Sequence, residues 1–199
     1  MKNDSFDNLR NDILDCKLCS LDLPVSPNPV IQINPNAKIL IAGQAPGRKV
    51  HETGIPFNDA SGERLREWMG VDKTIFYDPN IVAILPMGFC YPGTGKSGDL
   101  PPRKECAEKW RNKVLSQLPN IKLTLLIGQY AMKWHLGKGM QRNLTATVEN
   151  WRNYPNDQFP LPHPSPRNYG WLKKNPWFEE MVIPDLKRRI KGTLAQLEV

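Results

Sequence analysis

The residues best able to do chemistry in this 199-residue chain are four cysteines, two glycine-rich loops and one proline loop that carries a histidine. Cys16 and Cys19 form a CxxC pair, and Cys90 and Cys106 follow with fifteen residues between them. Four thiolates converging on one centre hold a metal ion or an iron-sulfur cluster, and a CxxC pair supplies two of them from one turn. The wide second spacing lacks the tight second pair usual in a zinc ribbon, so it favours a 4Fe-4S cluster over zinc. Buried thiols that hold nothing are the plain alternative. Either centre would act as a staple between the N-terminal helix and the loop that contains Cys90. The run Pro92-Gly-Thr-Gly-Lys-Ser97 invites a phosphate-loop reading, but Cys90 stands where the full pattern needs its first glycine. Gly-Asp-Leu-Pro-Pro then follows where a helix should begin, which argues against nucleotide hydrolysis. Lys96 remains suited to a phosphate contact.

Those loops need a frame. Ser5 can cap a first helix through Leu9, Ile13 and Leu14, ending near Cys16. Residues 37–43, 81–87, 123–128 and the run from Gln158 read as short apolar strands. Between them Leu65, Trp68 and Met69 mark a helix with Ser61 as N-cap and Gly70 as its stop, and residues 101–118 a helix with prolines at its start. Residues 144–154 and 175–197 read as further helices, the last kinked at Pro184. Strands alternating with helices predict a three-layer α/β/α fold around a mainly parallel four-stranded sheet, one domain over residues 1–199. In such sheets ligands bind beyond the carboxyl ends of the strands. That places Gly43-Gln-Ala-Pro-Gly47 and His163-Pro-Ser-Pro-Arg-Asn168 across one edge, with Gly54-Ile-Pro-Phe57 as the wall between them.

Composition narrows the class. There are 27 Lys and Arg against 20 Asp and Glu, a net charge of +7, and the surplus falls after residue 120, which leans toward a polyanionic partner. No window approaches 18 consecutive apolar residues, and the start is too acidic for a signal or transit peptide, which predicts a soluble cytoplasmic monomer with no membrane contact. His51 is expected to be exposed beside Glu52, and His135 to cover a helix end. Lys173, Lys174 and Lys187-Arg188-Arg189 supply nucleic-acid backbone contacts or merely a solvated face.

Taken in order, the motifs resemble the uracil-DNA glycosylase superfamily. GQAPG with Gly54-Ile-Pro-Phe57 resembles the first motif of family 4 enzymes, Phe57-Asn-Asp-Ala-Ser-Gly62 the acidic turn of family 5, and His163–Asn168 the second motif of the single-strand-selective monofunctional enzyme. The cysteine pattern is similar to the cluster ligands of families 4 and 5. The resemblance implies a monofunctional glycosylase that hydrolyses the N-glycosidic bond of a flipped-out deaminated base in DNA. A catalytically weak damaged-DNA-binding module on the same fold is the alternative. It further implies that Phe57 stacks on the base, that His163 stabilises the developing oxyanion, and that Gly43 and Ala45 let the backbone approach. Asp59 or Gln44 would position the water, and Ser165, Arg167, Asn168 and Lys96 would contact DNA. Family 4 carries an Asn near the end of the second strand where this chain has Ala83-Ile-Leu-Pro86, so reading of the base passes to main-chain groups around Met87 and Gly88. Gln44 replaces a family 4 glutamate, which leaves Asp59 as the expected carboxylate.

Overall fold

The computed structural model describes residues 2–96 and 98–195, with side chains from Ser5 onward. Ser97 and the end of the helix read to residue 197 lie outside the described residues. Four strands form a parallel sheet in the order β2-β1-β5-β6: β1 Ile39–Ala42, β2 Val82–Ile84, β5 Leu123–Ile127 and β6 Gln158–Leu161. Over Ile39–Ile41 and Val82–Leu85 the side chains alternate between two cores, following period-2 geometry. Ile39, Ile41, Val82 and Ile84 pack with α3 Ala60–Met69, α7 Gly128–Leu136 and α10 Ile183–Ala195. Leu40, Ala83 and Leu85 face α1 Lys2–Leu14 and the helix that starts at α5 Lys104–Cys106. The result is the expected three-layer α/β/α sandwich.

Both sheet edges are managed. Pro160, which has no N–H to give, is tolerated because β6 is an edge strand. The outer edge of β2 is met by an antiparallel bridge from Gln32 to Ile84, and Gln32 Nε2 donates to the carbonyls of Val82 and Phe76 at 2.8 and 3.0 Å.

Several local readings are corrected. α1 already runs from Lys2, so Ser5 lies inside it. A short helix, α2 Arg48–Thr53, replaces part of the first loop, stopped by Gly54 in the left-handed conformation. Asp59, not Ser61, caps α3: its Oδ1 accepts from Gly62 N–H at 2.9 Å, and Ser61 is buried within the helix. A brief helix, α4 Lys73–Phe76, precedes β2. The run after Cys90 folds into a small hairpin, β3 Thr94–Gly95 with β4 Gly98–Asp99, so no helix N-terminus follows Lys96 to form a phosphate loop. The helix read over 101–118 starts only after Pro101-Pro102. It passes from α5 through a π turn at Ala107–Arg111 into α6 Asn112–Leu115. α8 Leu144–Glu149 stops short of the reading to 154, and α9 Tyr169–Lys174 continues the histidine loop. Another π turn, Phe178–Val182, precedes α10 and sits where Pro184 could not complete a regular ladder.

Candidate active site

The carboxyl ends of β1 and β6 open onto one cavity of about 380 Å³. Gly43, Gln44, Ala45, Gly47, Phe57, Asp59, His163, Ser165 and Arg167 line it, over a floor that includes Ile84 and Pro86. Phe57 and His163, more than a hundred positions apart, thus face the same space.

The Phe57 ring lies against the first loop, where a Cβ at Gly43 would be in ordinary van der Waals contact with it, 3.4 Å from Phe57 Cζ. Phe57 has φ of +54°, a left-handed conformation that is an outlier for a bulky side chain and persists only when its surroundings hold it. The holders are on its carbonyl. Tyr77 Oη donates to it at 3.3 Å and the buried Arg66 at 3.5 Å. Gly62 makes room for it, since a Cβ at 62 would fall 1.8 Å from Phe57 O. Phe76 meets the ring edge-on, with centroids 6.1 Å apart.

The histidine loop is braced as firmly. Asn168 Nδ2 donates to His163 O at 2.7 Å, and Arg64 donates to the carbonyls of Pro164 and Ser165 at 3.4 and 3.1 Å. Ser165 N–H donates to His163 Nδ1 at 3.2 Å, so Nδ1 is the acceptor and the neutral ring carries its proton on Nε2. Burial holds this imidazole below its usual titration range, only partly opposed by the carboxylates of Asp59 and Asp99. A neutral Nε2–H donor is the outcome.

Asp99 went unnoticed in the sequence. It reaches the cavity from the β3–β4 hairpin, its carboxylate beside Gly47. Arg167 lies across Gly98 of the same hairpin, where an added Cβ would come within 2.7 Å of its guanidinium. Arg48, Lys49 and Arg167 put positive charge on the rim. Main-chain donors are available too: among the described residues the N–H groups of Gln44 and Ala45 have no hydrogen-bond partner.

Four expected residues do not join this set. Met87 and Gly88 do not line the cavity, and their N–H groups are committed to the carbonyls of Gly43 and Gln44 at 2.9 and 3.0 Å. They cannot read a base edge with those donors. Lys96 stands exposed at the hairpin turn, and the Asn168 amide is spent on His163. Arg188 and Arg189 both pair with Asp185, and Arg189 packs over Phe159, so they serve the terminal helix. Lys173 and Lys174 are exposed on α9, away from the cavity lining. His51 is half-buried against Tyr91 rather than exposed. His135 lies in the last turn of α7, at the helix end as expected, and accepts there from Arg111.

Cys16, Cys19, Cys90 and Cys106 line one small cavity of about 20 Å³. Trp110 Nε1–H donates to Cys16 Sγ at 3.3 Å and Phe89 N–H to Cys106 Sγ at 3.4 Å, the bonds that sulfurs of a charged centre want. Burial, reinforced by the neighbouring thiols and partly opposed by main-chain donors, pushes the Cys90 and Cys106 thiols up to about 11 and about 12. Among the described residues no group of three His, Cys, Asp or Glu side chains is gathered closely enough to hold a metal ion.

Residues 30–187 match the family described as the uracil DNA glycosylase superfamily. The chain is also 23% identical over 197 residues to the type-4 uracil-DNA glycosylase of Sulfurisphaera tokodaii, an alignment covering 93% of this chain and 83% of that relative. With the family match spanning the sheet, the strained Phe57 turn and the histidine loop, this chain belongs to the uracil DNA glycosylase superfamily.

Proposed function

We propose that the protein is a monofunctional DNA glycosylase that releases uracil or a related deaminated base from DNA. The observation that carries this is the shared cavity of Phe57 and His163, bordered by the N–H groups of Gln44 and Ala45, which have no partner among the described residues. A flipped base stacks on Phe57, an interaction worth roughly 1 to 3 kcal/mol per base. Its carbonyl oxygens meet the Nε2–H of His163 and the N–H groups of Gln44 and Ala45. As the bond from the sugar carbon to the base nitrogen breaks, its electron pair leaves with the base, and these donors stabilise the anion. Positive charge grows on the sugar, where the carboxylates of Asp59 and Asp99 favour it. Water attacks the sugar carbon and loses its proton to a carboxylate. Asp59 keeps Oδ2 for this task, because Oδ1 is held by the helix cap. Arg48, Lys49 and Arg167 grip phosphate.

The second strand offers no amide side chain to read the base, so recognition falls on the Gln44-Ala45 main chain, and a broad substrate range follows. Cys16, Cys19, Cys90 and Cys106 would hold a 4Fe-4S cluster, whose contribution is to tie both ends of the loop that delivers Asp99. An oligonucleotide panel carrying uracil, hypoxanthine, xanthine and thymine mismatches, scored for abasic sites, tests the proposal. We expect product from at least one deaminated base. Salt-dependent binding without product on any of them would replace the enzyme with a damaged-DNA-binding module.

A further inference from the structure

Arg111 is fully buried, and among the described residues no carboxylate pairs with it. A lone buried cation is costly unless it is fully hydrogen-bonded or put to use. Its NH1 donates to the carbonyls of Leu85 and Pro86, each at 3.0 Å, and its NH2 and Nε reach His135 Nε2 at 2.8 and 3.3 Å. His135 is neutral here, driven down by burial and by the guanidinium itself, so its Nε2 is the acceptor and its proton sits on Nδ1.

The bond to Pro86 begins a chain that ends at the active-site loop. The Pro86–Met87 peptide accepts from Arg111 and, on its opposite side, gives Met87 N–H to Gly43 O at 2.9 Å. The Gly43–Gln44 peptide accepts that bond and, because a trans peptide points its C=O and N–H in opposite directions, turns its own N–H away from it. That N–H belongs to Gln44, which lines the cavity and has no partner among the described residues. A cation therefore sits at the head of two aligned peptide dipoles whose tail is a free donor at the site, and each bond in such a chain polarises the next.

We propose that Arg111 is a positioning residue that strengthens the Gln44 N–H donor toward the departing base anion. This rests on the glycosylase reading above, and it explains how a site without an amide side chain on its second strand can still hold a negative leaving group.

The test compares single-turnover release of uracil and 5-fluorouracil from otherwise identical oligonucleotides. Fluorine makes the second base the better leaving group, so it depends less on anion stabilisation. In Arg111→Gln, uracil release should fall by about 30-fold and 5-fluorouracil release by about 5-fold, less than the loss of a direct oxyanion donor because the effect passes through peptides. The preference for the fluorinated base thereby widens. Equal losses on both bases would overturn the proposal and leave Arg111 a packing residue. So would equal losses accompanied by a bleached absorbance near 400 nm, which would make Arg111 the counter-charge of the cysteine centre one π turn away. Should Arg111→Gln not fold, Arg111→Met, uncharged and of similar length, carries the test: a widened preference for the fluorinated base supports the proposal, and equal losses on both bases overturn it. A wild-type protein inactive on both substrates would instead remove the glycosylase reading, and this proposal with it.

Discussion

Gly62→Ala should disable the site without altering one atom that lines the cavity. The added Cβ would fall 1.8 Å from Phe57 O, 2.7 Å from its carbonyl carbon and 2.8 Å from its Cβ. Non-bonded atoms need roughly 3.5 Å to sit comfortably, so something must move by more than about an ångström. Two things hold the contact closed: the Asp59 cap on Gly62 N–H, and the Tyr77 and Arg66 bonds to Phe57 O. Either the cap opens, which costs about 1 kcal/mol, or Phe57 leaves its left-handed conformation and takes its ring off the Gly43 loop. Overpacking of this kind costs about 1 to 3 kcal/mol, which lowers the melting temperature by about 2 to 12 °C for a chain of this size. A misplacement of about 1 Å costs on the order of 100-fold in rate. The assay pairs thermal unfolding with single-turnover base release. The control is Gly192→Ala, where a Cβ meets nothing within 4 Å on a helix. It should be neutral in rate and stabilise by about 0.5 to 1 kcal/mol. Wild-type turnover in Gly62→Ala would refute the claim that the held Phe57 turn builds the base site.

His163→Ala should slow release by about 100-fold or more, as loss of one oxyanion donor does; an unchanged rate would remove the imidazole from the chemistry. Asp59→Asn keeps the helix cap, because Asn caps as well as Asp, so it should spare stability and DNA binding while slowing hydrolysis. Asp99→Asn tests the second carboxylate in the same way, and full activity in both single variants would leave the sugar cation without its expected partners. His135 is held neutral down to about 3, against about 6.5 in an unfolded chain. Its depressed native value means the unfolded state takes up the proton first. Stability it contributes at neutral pH is therefore lost as pH falls from about 6.5 toward about 3, at up to about 1.4 kcal/mol per pH unit. In His135→Gln, denaturant melts between pH 7 and pH 4 should show a shallower loss; an equal slope would show that other groups set the acid sensitivity. Cys16→Ser should bleach a brown protein, whereas zinc in a colourless preparation would replace the cluster.

Much of the frame could be read directly. Apolar runs ended by glycine or proline became the four sheet strands because a strand buried on both faces has to be continuously apolar. The boundaries were less legible. Ser61 and Asp59 are both good N-caps, and the choice fell to Asp59 because the close approach of Gly62 to Phe57 starts the helix there. Asp99 was hidden for a similar reason. A carboxylate in a glycine-rich run reads as solvated until the hairpin, braced by Arg167, carries it to the rim. Arg111 gave no signal at all, since an arginine among other charges on a helix normally faces water.

What the amino-acid order determined on its own is the inventory and its rough address: thiols in a cluster-like spacing, an aromatic and an imidazole in loops that follow strands, and a parallel sheet whose carboxyl edge gathers those loops. Only the tertiary structure decided which groups are free to act. Met87 and Gly88 lost their donors to neighbouring carbonyls, Gln44 and Ala45 kept theirs, and His163 was left with its proton on Nε2. Hydrogen-bond saturation depends on which strands and loops become neighbours, and that is a property of the packed chain rather than of any local stretch of it.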